Sequence, residues 1–198
     1  MKEGCYLSVH QPAQPLPFSQ SRAHYTDILG MHRLQRRLRV LIASQTHRQH
    51  ILLCIGSDRS TGDSLGPLTG TKLDALAPAN ISILGTLDNP IDAHNLEATM
   101  SAIAERFPNP FVIALDATLG QAQSVGYITL SLGSFQPGTA GRRRLPYVGD
   151  IHLTGVVNTS SPLHTLVLRG TRLSLVWRLS DYLCDMFESI PYYQIYRP

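Results

Sequence analysis

Hydrophobic and polar positions divide this chain into a featureless start, one helical stretch and a longer alternation of strands and helices. Residues 1 to about 20 are rich in Pro and Gln and carry no period, so residues 1–21 are expected to be a flexible N-terminal arm. Over residues 22–46, Ile28, Met31, Leu34, Leu38, Leu41 and Ile42 follow the three-and-four spacing of an amphipathic helix. Arg33, Arg36, Arg37 and Arg39 fall mostly elsewhere and read as its solvated face. No aromatic residues interleave with them, so no stacking platform for nucleic acid is present.

From His50 the pattern changes. Residues 51–55 are continuously apolar, as a strand buried on both faces must be. Residues 65–77 read as a helix closed by Pro78, and 81–84 as a short strand. Residues 90–107 read as a helix with Leu96, Met100, Ile103 and Phe107 on one face. Strands follow at 111–115, at 127–132 and at 151–157, with a long Gly- and Pro-rich loop over 133–148. Residues 171–190 close the pattern as a helix with Leu173, Val176, Trp177, Leu183, Cys184 and Phe187 expected inward. Strands alternating with helices predict an α/β domain over residues 50–190, built on a mostly parallel sheet, with a C-terminal tail over 191–198.

Composition narrows the class. With 198 residues, 43% hydrophobic and 16% charged, the chain reads as one soluble globular domain plus an extension. No apolar run approaches the roughly 20 residues of a membrane span. Pro12, Pro15 and Pro17 interrupt any signal-peptide core, so a cytoplasmic protein without a membrane partner is expected. Cys5, Cys54 and Cys184 are too few and too scattered for a disulfide framework or a zinc cluster. A net charge of +3 is weak, with basic residues gathered over 33–39 and at Arg142-Arg143-Arg144.

The candidate chemistry sits in two acidic turns. The first apolar strand runs into Gly56-Ser57-Asp58-Arg59-Ser60-Thr61-Gly62-Asp63-Ser64-Leu65-Gly66-Pro67, and the third into Asp116-Ala117. Open α/β sheets place ligands at the C-terminal edge of their strands, so neighbouring strands would bring Asp63 and Asp116 to one cleft. Two carboxylates there suit acid/base hydrolysis or metal binding. Asp63 or Ser64 can instead cap the following helix, and Asp58 can serve only a turn. Asp116, at the end of an apolar strand, must be paired, metal-bound or raised in pKa. Weaker candidates are Asn89 and His94 near the start of the next helix, and Asn158 after the later strand; Asp88 reads as a cap. Asp150 lies at the N-terminal end of its strand, away from the proposed cleft. The glycine spacing fits neither a phosphate loop nor a dinucleotide fingerprint, and Gly-X-Ser-X-Gly and His-Glu-X-X-His are absent.

Gly62-Asp63-Ser64-Leu65-Gly66-Pro67 together with Ala114-Leu115-Asp116-Ala117 resembles the germination (spore) protease. The stretch from residue 51 to about 179 resembles more closely the smaller spore-protease-like sporulation proteins of the YyaC family. Gly85-Thr86-Leu87-Asp88-Asn89-Pro90, Leu145-Pro146-Tyr147-Val148-Gly149-Asp150-Ile151 and Thr154-Gly155-Val156-Val157-Asn158 add to the likeness. The resemblance implies an α/β/α sandwich of the phosphorylase/hydrolase type, shared with the hydrogenase-maturation proteases. It also implies a two-aspartate endopeptidase of spore formation or germination, acting on a peptide or protein in the forespore or mother cell. Its catalytic pair would be Asp63 and Asp116; Asp58, Ser64, Asn89, His94 and Asn158 are the substrate-binding or supporting candidates read from the residues themselves. In the maturation proteases the two matching acids bind a metal with a histidine from a later loop. Residues 139–144 here contain no histidine, although His152 or His94 could substitute. No cofactor is therefore expected. A non-catalytic protein retaining the fold and a metal-dependent maturation-type protease remain the alternatives, and a homo-oligomer is left open.

Overall fold

A computed structural model describes residues 20–138, 145–188 and 190. Residues 1–19 of the arm expected over 1–21, the arginine loop at 139–144 and the tail at 191–198 lie outside the described residues, whereas residues 20 and 21 of that arm belong to a strand. Six strands form one sheet in the order β1-β5-β6-β4-β2-β3. They are β1 (Gln20–His24), β2 (His50–Cys54), β3 (Ile81–Leu84), β4 (Phe111–Gly120), β5 (Tyr127–Leu132) and β6 (Ile151–Thr159). The helices are α1 (Ile28–Ala43), α2 (Leu65–Asp74), α3 (Leu96–Arg106), α4 (His164–Arg169) and α5 (Leu173–Glu188). β2 pairs in parallel with β3 and β4, and β4 with β6; β5 runs antiparallel to β6 and to β1. Only β5 opposes the other strands, so the expected mostly parallel α/β sandwich is the observed one.

The alternation of side chains along the central strands creates two cores. Leu52, Cys54, Ile113 and Leu115 belong to one, with Leu34 and Leu38 of α1, Leu65 of α2 and Leu183 of α5. Ile51, Leu53, Val112 and Ala114 belong to the other, with Leu96 and Ile103 of α3. A strand that feeds both cores cannot alternate polar with apolar, which is why residues 51–55 read as an unbroken run.

Four expectations are corrected. The helix expected over 22–46 begins at Ile28, because residues 20–24 form β1 against β5. Asp27 caps it, accepting from the Gly30 N–H at 2.8 Å. The stretch is part of the domain: β1 extends the sheet, and Leu34, Leu38 and Ile42 are buried, while Ile28 is exposed. Arg33 pairs with Asp27, and Arg37 donates to the Ser21 hydroxyl, so two of the arginines are engaged within the fold. The helix expected from Pro90 begins at Leu96. Ile91 bridges Ile55 in parallel, and the Asn95 side chain bonds the Asp92 N–H and the Pro90 carbonyl, holding 90–95 as a turn. Asp116 does not end its strand, since β6 continues to pair with β4 as far as Gly120. Leu173 and Trp177 do not face inward; they are 59% and 49% exposed. Trp177 lies on the α2 side of α5, with the Lys72 amine 3.8 Å from its ring centroid.

The N-terminal edge of the sheet is pinned by Asp150, as its position implied. Its carboxylate accepts from the Val112 N–H at 2.8 Å and from Arg48 at 3.0 Å. Phe135 and Val148 exchange two backbone hydrogen bonds, which closes the base of the long loop. Among the described residues no helix is long and apolar enough to cross a membrane.

If α1 is integral, truncating it must destabilise the whole domain. Leu38 is fully buried, so Leu38→Ala is expected to cost about 2–5 kcal/mol in urea unfolding. Ile28→Ala, at an exposed position of the same helix, should stay within about 0.5 kcal/mol of the parent. Equal effects at the two positions would contradict the assignment.

Candidate active site

The Ile55 N–H donates to the Leu115 carbonyl at 2.7 Å, extending the β2–β4 pairing by one bond before the chain turns away. The turn needs glycine twice. Gly56 has φ +139°, and a Cβ there would overlap the Asp63 carbonyl oxygen, which accepts from the Ser57 N–H at 3.1 Å. A Cβ on Gly66 would overlap the Ile55 carbonyl, so α2 starts with its backbone directly against the strand end. Between them, Gly62–Ser64 form a short 3-10 turn that runs into α2. Neither Asp63 nor Ser64 caps the helix through its side chain. The Ser64 hydroxyl donates instead to the Thr61 carbonyl at 2.7 Å. Asp63 is thus released from the capping role that its sequence position allowed.

Asp116 stands within β4, opposite Thr154 of β6, and is 6% exposed. Asp63 and Asp116 line one cavity of about 220 Å³, together with Thr118, Gln136, Ser160 and His164. Burial raises the Asp116 pKa well above the usual carboxylate range, and the charge of Asp63 adds to the shift. The amides of Ala117 and Gly138 act in the opposite direction. Burial, followed by the charge of Asp92, raises Asp63 to about 6, against the opposing Ser57 amide. Burial of both carboxyls disfavours two charges in the one cavity, and the more deeply buried Asp116 is the more strongly raised of the two. The pair titrates as one coupled unit.

The other sequence candidates fall elsewhere. Asp58 is exposed in the turn, and Ser64 is buried in its bond to Thr61. Asn89 and His94 line a second, larger cavity beyond β3, where His94 approaches Asp92 at 3.1 Å. Asn158 donates to the Val167 carbonyl and to the Thr171 hydroxyl, both at 3.2 Å, and so fastens α4 to the end of β6. His152 stacks on Phe135 and bonds the Gly133 carbonyl at 2.8 Å. Neither His94 nor His152 lines the cavity of the two acids. His164 does, and sequence reasoning missed it, as it missed Asp92. The signal available for His164 was its place six residues after Asn158, on the same edge of the sheet.

The resemblance to the maturation proteases implies a metal held by three side chains. Among the described residues, no three His, Cys, Asp or Glu side chains are grouped so as to hold a metal ion. Residues 139–144, the loop that supplies the histidine in those enzymes, are outside the described residues. The described donor set does not fit a three-ligand site.

Residues 22–186 match the family model described as "Protein of unknown function (DUF1256)". The chain belongs to this family. It is 38% identical over 161 residues to the "Uncharacterized protein YyaC" of Bacillus subtilis (strain 168), covering 81% of this chain and 78% of that one. The likeness to the YyaC family seen in the sequence is therefore real. Among solved structures it is similar to the [NiFe] hydrogenase maturation protease HycI from Thermococcus kodakarensis KOD1. The TM-score is 0.50 at 12% identity, over 77% of this chain and 99% of that chain. This likeness is one of fold.

Both acids bind protons more tightly folded than unfolded. Their contribution to stability is therefore full below about pH 4, and the Asp63 share is lost as pH rises through about 6. Asp116→Asn removes the larger of these penalties. Its melting temperature should exceed that of the parent by several degrees at neutral pH, and the gap should close towards pH 4; a constant gap would contradict the shared burial. Protein purified without chelator should carry well below one nickel or zinc ion per chain by elemental analysis.

Proposed function

We propose that the protein is a hydrolase of peptide bonds that works through Asp63 and Asp116. One observation carries this reading: two carboxyl groups with raised affinity for protons share a small cavity at the C-terminal edge of a parallel sheet. Carboxyls raised by burial and by each other's charge favour a pair that keeps one proton, which is the state a general base and general acid acting together require. Ionised Asp63 takes a proton from water as its oxygen attacks the peptide carbonyl. Protonated Asp116 stabilises the developing oxyanion and then passes its proton to the leaving amine. Bond breaking returns the pair to a single shared proton, so the cycle needs no other reactant.

His164 lines the same cavity, where its imidazole is positioned to hydrogen-bond substrate. The β4–β6 pairing fixes the Asp116 backbone, and the glycine-dependent turn fixes Asp63, so both acids rest on rigid supports. The substrate class is a peptide or protein. Action within spore formation or germination, in the forespore or mother cell, belongs to the same proposal and is supported by the sequence resemblance.

Asp63→Asn and Asp116→Asn should each lower cleavage of a peptide library by at least about 100-fold, the low end of what a positioned acid or base contributes. Thermal melts should show both variants folded. His164→Ala should reduce turnover less than either. Folded Asn variants that cleave as well as the parent would refute the mechanism.

A further inference from the structure

The second cavity has an unusual position. It encloses about 890 Å³ and lies at the outer edge of β3, the last strand of the sheet. Its wall includes Ile83 and Leu84 of β3, Asp74 at the end of α2 and Thr99 of α3. α2 and α3 serve opposite cores, so the cavity is a groove at the C-terminal half of the strand edge, between the two helical layers. Among the described residues β3 has one strand neighbour, β2. Its sequence, Ile81-Ser82-Ile83-Leu84, has neither the proline nor the charge that commonly shields an edge from pairing.

The groove adjoins the turn that carries Asp63. Ile91, at its inner end, accepts from the Gly56 N–H at 2.8 Å, and the adjacent Ser57 N–H bonds the Asp63 backbone. Asp92 lines the groove and lies close enough to act on the Asp63 charge. The groove is acidic: Asp74, Asp88 and Asp92 line it against one arginine, Arg59, with His94 beside Asp92.

We propose that this groove is the docking site of the substrate, an extended polypeptide segment with basic side chains that adds as a strand to the outer edge of β3. The proposal rests on the hydrolase reading for the identity of the occupant as substrate. Backbone hydrogen bonds to β3 supply affinity without regard to sequence, and the three aspartates supply a preference for Lys or Arg. Ile83 and Leu84, the half of β3 that lines the groove, match about 7 Å of extended chain. From its inner end the bound segment passes Asp92 to reach Asp63 and Asp116. A second copy of this chain is the poorer occupant. A two-fold pairing of β3 edges would set the same carboxylates of both copies beside one groove, with like charges facing each other.

The test separates docking from hydrolysis by using the full chain carrying Asp116→Asn. The probes are fluorescein-labelled peptides of about eight alternating Thr and Val residues, with either two Lys or two Glu introduced. The Lys peptide should bind about tenfold or more tightly than the Glu peptide. Asp74→Lys combined with Asp88→Lys, at two exposed positions, should reverse that order. Hydrogen exchange of the 81–84 amides should slow when the Lys peptide is bound. Equal affinity for the two peptides, an order unchanged by the double variant, binding that leaves the 81–84 amides untouched, or no binding at all would each overturn the proposal. So would sedimentation showing a dimer with those amides already protected. Binding as expected by a parent that cleaves no peptide would leave the groove standing and defeat the hydrolytic reading alone.

Discussion

One adjacency governs the acidic end of this molecule: the parallel pairing of β2 with β4. Asp63 and Asp116 are 116 − 63 = 53 positions apart. They meet because the two strands leave the sheet side by side, joined at the last step by the Ile55–Leu115 hydrogen bond. The turn after β2 must then rise clear of β4 and return to start α2 against the same strand end. Gly56 and Gly66 are where that path has no room for a side chain. β6, on the other flank of β4, keeps Asp116 within the ladder and carries α4, with His164, to the cavity mouth.

Holding two carboxyl groups in that position works against stability, because each prefers its proton and one cannot ionise without raising the energy of the other. The domain offsets the strain away from the site. Both faces of the sheet are covered by apolar cores, and the opposite edge is held by the contacts of Asp150 with Arg48 and the Val112 amide. One end of the sheet is tied down by a fully engaged carboxylate while the other keeps two carboxylates in an uncomfortable state.

Much of the fold was legible in the sequence because central strands are the least ambiguous elements. Residues 51–55 and 111–115 are apolar at every position, and only a strand feeding two cores requires that. The acidic turns were legible because glycine and aspartate follow those runs directly. The strand over 116–120 was not, since Asp116 and Thr118 look like a strand end until β6 is known to pair with them. Trp177 and Leu173 were misplaced because periodicity identifies a helix face but not how far its neighbours extend along it. Asp92 was hidden by the reading of 90–95 as helix, which the Ile91–Ile55 bridge and the Asn95 side chain replace with a turn. His164 sits on a six-residue helix beside exposed leucines, a pattern too short to show a period. Asn158 stood out by type, yet it holds α4 in place, whereas the histidine on that helix reaches the cavity.

The stacking of Lys72 on Trp177 has an optical consequence. The chain contains one tryptophan, and it sits half-exposed where α5 meets α2, with a cationic amine over its ring. A charge held there perturbs the indole's excited state, so the emission colour and yield depend on the contact between these two helices. α2 begins at the turn that carries Asp63. The molecule thus contains an intrinsic fluorophore, free of background from any other indole, packed against the helix that follows the turn of Asp63.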